Sequence, residues 1–279
     1  MNDPSVEDNE QRTFAANRAV STVALTAQAR DGVTTRMRVR EEGSLRLRFP
    51  GQKSAELEAV IVNTAGGIAG GDRLDLTFSA GAGARLIVTS AAAEKVYRSL
   101  GPNALIGIKL DVGPAASLAW IPQETILFDR AMLERRIDVD LAENAGLIMA
   151  EAIIFGRSGM GEGVELGRLV DRWRVRRAGR LVFAESLRLE GPIAEKLAAR
   201  AVAGGGVAIA TVLVVPGDEA TVAALRALGG GFQGEVGISA WNGFAVARFC
   251  AENGARLRQD LVIVLAALRA GALPRLWLN

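Results

Sequence analysis

Three carboxylates sit where an acid needs a reason. Glu151 interrupts the apolar runs Leu147-Ile148-Met149-Ala150 and Ala152-Ile153-Ile154-Phe155, and Glu185 follows Leu181-Val182-Phe183-Ala184. Glu162 lies in the loop Ser158-Gly159-Met160-Gly161-Glu162-Gly163. An acid inside an apolar strand faces solvent by the period of two, pairs with an arginine, or lines a polar passage. None of these acids works beside a histidine, because the chain has none. That excludes Ser-His-Asp and Cys-His triads, histidine general bases and His-ligated zinc. One cysteine, Cys250, leaves no intrachain disulfide and no cysteine cluster, which fits a reducing compartment. Any metal here would meet oxygen ligands, which hold a soft ion weakly.

The cluster Gly66-Gly67-Ile68-Ala69-Gly70-Gly71-Asp72 is not a phosphate loop. Ile68 stands where a dinucleotide fingerprint needs its second glycine, and Asp72 stands where a Walker loop needs lysine. A strand-like run, Leu74-Asp75-Leu76-Thr77-Phe78, follows in place of a helix. The reading is a turn that needs several positive φ angles, with Asp72 hydrogen-bonded into it. The only tyrosine, Tyr97, neighbours Arg98, and the pair either forms a binding patch or anchors a strand crossing. Trp120-Ile121-Pro122-Gln123-Glu124-Thr125 puts a tryptophan at a strand end and then a proline-led turn.

The elements that must position these residues read as strands. Arg36-Met37-Arg38-Val39-Arg40, Leu45-Arg46-Leu47-Arg48-Phe49 and Arg172-Trp173-Arg174-Val175-Arg176 alternate, and Gly, Pro or Asn punctuates about every ten residues as far as Glu190. An Ala-x-Leu step recurs at Ala84–Leu86, Ala116–Leu118 and Ala145–Leu147, spaced 32 and 29 residues apart. Such a period suits strands wound in successive coils. Helical signals come late. Asp218 caps residues 220–228 before Gly229-Gly230-Gly231, and residues 255–270 form a second helix ending at Gly271. A weaker helical turn spans residues 194–201. On the second helix Leu257, Leu261, Val264, Leu265 and Leu268 make one apolar stripe, which either docks a partner or packs on the β body.

The chain has 279 residues, 49% of them hydrophobic, so a real core is expected. Its 33 basic and 31 acidic residues nearly balance, and a mean hydropathy of +0.21 leaves apolar patches uncovered, as interfaces do. The longest charge-free stretch, residues 201–216, is shorter than the ~20 apolar residues of a membrane span. The first residues carry Asp3, Glu7, Asp8 and Glu10 and no apolar core, so they read as a solvated tail of a cytoplasmic protein. Residues 168–180 hold six arginines against Asp171, but only Trp173 could stack on a base.

Taken in order, residues 65–74, Lys95-Val96-Tyr97-Arg98-Ser99 and the Trp120 segment resemble the urease accessory protein family UreD, also called UreH. Gly156-Arg157 with Gly161-Glu162, Glu185-Ser186-Leu187-Arg188-Leu189 and Pro274-Arg275-Leu276-Trp277-Leu278 continue the likeness from Ala19 onward. The resemblance implies a non-catalytic nickel-chaperone scaffold that binds UreF and, through it, the GTPase UreG, and that docks on apo-urease. It implies a mostly-β body of stacked, coil-like layers with about two helices near the C-terminus, as one domain over residues 19–279 behind a disordered acidic tail of residues 1–18. Gly66, Gly67, Gly70, Gly71, Asp72, Tyr97, Arg98, Trp120, Gln123, Glu124, Leu261 and Trp277 become motif or partner-binding residues. Glu151, Glu185, Glu162 and Asp72 become stations of a nickel passage, with no cofactor held tightly. Where the family's common form has His-Pro-Pro, this chain has Asn63-Thr64-Ala65, so no histidine ligand stands there. The alternatives are a carboxylate-dependent enzyme acting through Asp72, Glu151 or Glu162, and a nucleic-acid module built on the basic strand.

Overall fold

The computed structural model describes residues 18–51 and 55–278, so the expected tail lies outside the described residues apart from Arg18. The strands in chain order are β1 (Val20–Arg30), β2 (Val33–Glu42), β3 (Leu45–Arg48), β4 (Glu56–Asn63), β5 (Arg73–Ala80), β6 (Arg85–Ser90), β7 (Glu94–Val96), β8 (Ala104–Val112) and β9 (Ser117–Trp120). They continue with β10 (Thr125–Leu127), β11 (Met132–Leu141), β12 (Gly146–Phe155), β13 (Leu166–Arg177), β14 (Arg180–Pro192), β15 (Ala208–Val215), β16 (Glu235–Trp241) and β17 (Phe244–Ala251). One sheet runs β14-β13-β11-β8-β5-β1-β2 and the other β16-β17-β15-β12-β9-β6-β4-β3. The short strands β7 and β10 pair with each other, and β10 pairs with the far end of β12.

From β4 to β13 the chain crosses between the two sheets at each coil, and each strand lies parallel to the one a coil earlier. Leu57, Leu86, Leu118 and Leu147 occupy successive rungs of one sheet, and Ala80, Val112 and Leu141 those of the other. The Ala-x-Leu repeat is the coil corner. Ala84, Ala116 and Ala145 each donate their N–H to the carbonyl three residues back, at 3.0, 3.1 and 3.1 Å, and the leucine that follows turns into the core. Inward residues of both sheets then form one continuous apolar core.

The charge-free run over residues 201–216 contains β15. Its Leu213 and Val215 face the inter-sheet core, while Ala210 and Val212 lie beneath a helix, so both faces are covered and no alternation shows. With β16 and β17 it extends the sheet beyond Glu190, where the sequence shows only helical signals.

Among the described residues three α-helices are interleaved with the last strands: α1 (Ile193–Ala198), α2 (Glu219–Arg226) and α3 (Gly254–Leu268). The weaker helical turn is therefore α1. Asp218 caps α2 by accepting from Thr221 N–H at 2.8 Å, and Asn253 caps α3 by accepting from Arg256 N–H at 3.0 Å. The α3 stripe packs on the outer face of the second sheet. Small floor residues (Ala119, Ala150, Ala152, Ala247) let it approach, and Leu257, Leu261, Val264 and Leu265 are fully buried there. Leu261 is thus a core residue and not a partner contact, which corrects its assignment above. Burying each such side chain contributes about 1.5–3 kcal/mol.

Candidate functional site

Beyond β13 the two sheets part, and a cleft of about 450 Å³ opens between β14 and the β15–β17 end of the second sheet. Glu151, Asp171, Glu185 and Glu235 all line it, with Arg248 as the lining cation. Parity brings Glu151 here, since β12 turns Leu147, Met149, Glu151, Ile153 and Phe155 to the interior. At the base Glu151 belongs to a buried cluster. Its Oε1 accepts from Trp120 Nε1 at 2.6 Å and its Oε2 from Arg135 Nη1. Arg135 also forks onto Asp171, Nε to Oδ1 at 3.1 Å and Nη2 to Oδ2 at 2.5 Å. Burial pushes the Glu151 carboxyl up, with Arg135 opposing and Asp171 reinforcing the shift. Burial alone would lower the Arg135 pKa, but the Asp171 and Glu151 carboxylates outweigh it and hold the guanidinium charged.

At the mouth, Arg248 of β17 grips Glu185 of β14 through two bonds of 2.6 and 3.0 Å, bridging the sheets. Both acids therefore pair with arginines and both line one cleft. Arg135 and Asp171 are the partners the sequence reading missed. Each breaks an inward apolar series, Leu133-x-Arg135-x-Ile137 and Leu169-x-Asp171-x-Trp173, and that break was the available signal.

The glycine cluster lies at one end of the coils. Asp72 is buried and accepts from Ala69 N–H at 2.7 Å and Ala19 N–H at 2.9 Å, fixing the turn and the start of β1 together. It is a structural acceptor here, away from the residues that line the cleft. Gly66, Gly67 and Gly71 have φ of 76°, 152° and 90°. A Cβ on Gly67 would overlap the ring of Tyr97, whose hydroxyl donates to Gly66 O at 2.9 Å. The Tyr97 ring meets Phe128 edge-on at 5.1 Å, and Arg157 lies 4.3 Å over Phe128 while binding Glu162. Glu162 also accepts from Asp129 N–H at 3.2 Å. Its loop is thus tied down, apart from the cleft, and Arg98 stays exposed beside Tyr97. Asn63 Nδ2 donates to both oxygens of Glu94 at 3.1 and 3.2 Å. Burial nonetheless raises the Glu94 pKa to about 7.

A third cluster joins two distant motifs. Arg258 of α3 donates to Gln123 Oε1 at 2.7 Å, Glu124 Oε1 at 2.9 Å and Leu276 O at 2.8 Å, and lies 4.9 Å over the Trp277 ring. Trp277 Nε1 donates to Ile121 O at 3.0 Å. Gln123, Glu124 and Trp277 are buried where α3 and the C-terminal turn meet, whereas Trp120 is buried on the opposite face of the sheet, in the inter-sheet core against Phe78, so none of the four presents itself on the surface.

A family profile described as UreD urease accessory protein matches residues 19–278. The chain belongs to the UreD family. It is 57% identical over 271 residues to a urease accessory protein UreD of Rhodopseudomonas palustris strain BisA53, covering 97% of this chain and 94% of that one. It is 59% identical over 266 residues to a UreD of Bradyrhizobium diazoefficiens strain USDA 110, covering 95% and 96%. Membership gives the chain an accessory role toward urease. On this UreD body the basic strand β13 is offset by its neighbours. Arg168 pairs with Glu134 at 3.4 Å and Glu190 at 2.7 Å, and Arg172 with Glu134 at 3.1 Å, which is a mixed-sign face and not a phosphate track. Among the described residues no three metal-ligating side chains converge, and no helix is long and apolar enough to cross a membrane.

Proposed function

We propose that the chain is a non-catalytic scaffold of urease maturation. In this reading it binds UreF and, through it, UreG, docks on apo-urease in the cytoplasm, and offers nickel a carboxylate-lined route. The observation that carries the route is the cleft that holds Glu151, Asp171 and Glu185 along one path from mouth to core. Hydrated Ni²⁺ passing between proteins needs oxygen ligands that release it, and carboxylates spaced along a cleft fit that need better than a histidine cluster. Glu162 and Asp72 are bound into turns and fall outside this route.

The test is maturation in the full assembly. Glu185→Gln and Glu151→Gln keep side-chain volume and, at Glu151, the acceptor for Trp120. Co-purification with UreF and apo-urease should be unchanged, while the nickel content of the matured urease falls. Normal nickel with both changes present overturns the route. Failure of the folded wild-type chain to co-purify with UreF and apo-urease overturns the scaffold.

A further inference from the structure

At the mouth of the cleft one guanidinium holds an acid that an entering cation would need. Both oxygens of Glu185 accept from Arg248, at 2.6 and 3.0 Å. The two occupants exclude each other, because a metal ion needs the same lone pairs and is repelled by the guanidinium beside them. The bond is also a loose one. The Arg248 side chain is 56% exposed, and ion pairs that water reaches contribute little.

The strand register supplies a second seat for Arg248. On β16, Gly237 lies directly opposite it, and Glu235 lies diagonally, paired with Cys250. Val236 and Ile238 turn to the outer core under α2, so Glu235 and Gly237 face the cleft that both of them line. Diagonal partners sit roughly 7–8 Å apart, within reach of a long side chain. Glu235 is exposed and makes no ion pair among the described residues. In the other direction the row runs through Thr211 to Glu151, which Arg135 and Trp120 already hold. Gly237 stands beside the second seat. It has no positive φ, and a Cβ there would meet nothing within 4 Å. Neither backbone nor crowding demands a glycine in this strand, where glycine weakens the pairing. Its missing side chain leaves an open lane for the arginine.

We propose that Arg248 is a latch that swings between Glu185 and Glu235, and so decides when the mouth of the cleft offers a free carboxylate to a divalent cation. Seated on Glu185, it ties β14 to β17 and closes the route. Seated on Glu235, it keeps a counter-charge, so the exchange leaves no guanidinium unpaired. An arriving cation selects the second seat, and its apparent affinity is reduced by the fraction of molecules in which Glu185 is free. The proposal rests on the carboxylate route above. It makes Arg248 a positioning residue that acts through Glu185.

The test is Ni²⁺ binding to the full chain by equilibrium dialysis, with thermal melts confirming that each variant folds. Arg248→Met frees Glu185 and should tighten binding about tenfold. Glu235→Gln removes the second seat, and Gly237→Val blocks the lane without touching a charge. Each should weaken binding about threefold or more. In the Arg248→Met background neither change should matter, since nothing is left to swing, whereas Glu185→Gln should cancel the gain. No tightening by Arg248→Met overturns the latch and leaves the pair as a strut between the sheets. Wild-type affinity in Glu235→Gln or Gly237→Val overturns the second seat. So does a Glu235→Gln loss that persists in the Arg248→Met background, which would make Glu235 a ligand in its own right. The route is judged separately, by the nickel content of urease matured with Glu185→Gln, so a failed latch and a failed route give different results.

Discussion

Replacing Arg135 with methionine should be the most damaging single change beneath the cleft. The side chain is fully enclosed and holds Glu151 and Asp171 at once, through a fork and a further ion pair, with Thr125 Oγ1 at 3.4 Å. Without it two carboxylates remain buried with no cation. Removing one partner of a buried ion pair costs about 3–5 kcal/mol, a large part of a domain's ~5–15 kcal/mol. Glu151→Gln should behave differently. It keeps an acceptor for Trp120 Nε1, leaves Arg135 paired with Asp171, and removes the excess negative charge, so its effect should stay within about 1 kcal/mol. Glu151→Ala orphans the buried indole N–H and opens a void, so about 2–4 kcal/mol should be lost. Urea unfolding followed by tryptophan fluorescence, with slopes compared to confirm a common unfolded state, measures all three. The pH dependence has a definite sign. Because the folded-state pKa of Glu151 is raised above 4.5, its contribution is fully present below 4.5 and is lost as pH rises through the raised value. Glu151→Gln should therefore look better relative to wild type at pH 7.5 than at pH 4.5. If Arg135→Met unfolds within about 1 kcal/mol of wild type, or Glu151→Gln is as damaging as Arg135→Met, the buried-charge account is wrong.

Three further outcomes are expected. Glu94→Gln should stabilise the protein above pH 7 and leave it unchanged near pH 4.5. The shift from 4.5 to about 7 converts to ~3 kcal/mol, which the partial exposure of Glu94 reduces to about 1–2 kcal/mol in urea titrations at the two pH values. Gly67→Ala should cost about 1–3 kcal/mol in the same assay, because it combines a φ of 152° with overlap of the Tyr97 ring. Leu261→Asp should abolish cooperative folding, as judged by loss of a thermal transition; a folded variant that merely loses UreF would restore Leu261 as a contact.

Alternation and punctuation were enough to read the β body, because one face of most strands meets the core and the other meets solvent. The Ala-x-Leu step was legible as a coil period because each copy is the same corner, with the alanine N–H closing a tight turn and the leucine entering the core. The capping of α2 by Asp218 was legible for a local reason, since a side chain three residues from its acceptor needs no tertiary partner. The strand β15 was hidden because α3 covers its outer face, which erases the polar half of the pattern. Leu261 shows the limit of an apolar stripe, for docking and core packing ask the same residues of a helix. The cleft needed long-range register. Glu151, Arg135 and Asp171 are brought together from three strands in two sheets, and sequence distance carries no trace of that pairing.

The bond from Trp277 to Ile121 spans 156 residues. Coils from β5 to β12 can be laid down in order as they emerge during synthesis, each on the one before. The loop at residues 120–125 cannot finish at its turn in that order. It stays without its cover until the ribosome has passed residue 277, when α3 brings Arg258 and the tryptophan onto it. A chain interrupted before that point would carry a nearly complete solenoid and an open flank of alanines and valines, visible to the cell's proteases. The arrival of Trp277 is thereby written into the surface of the molecule.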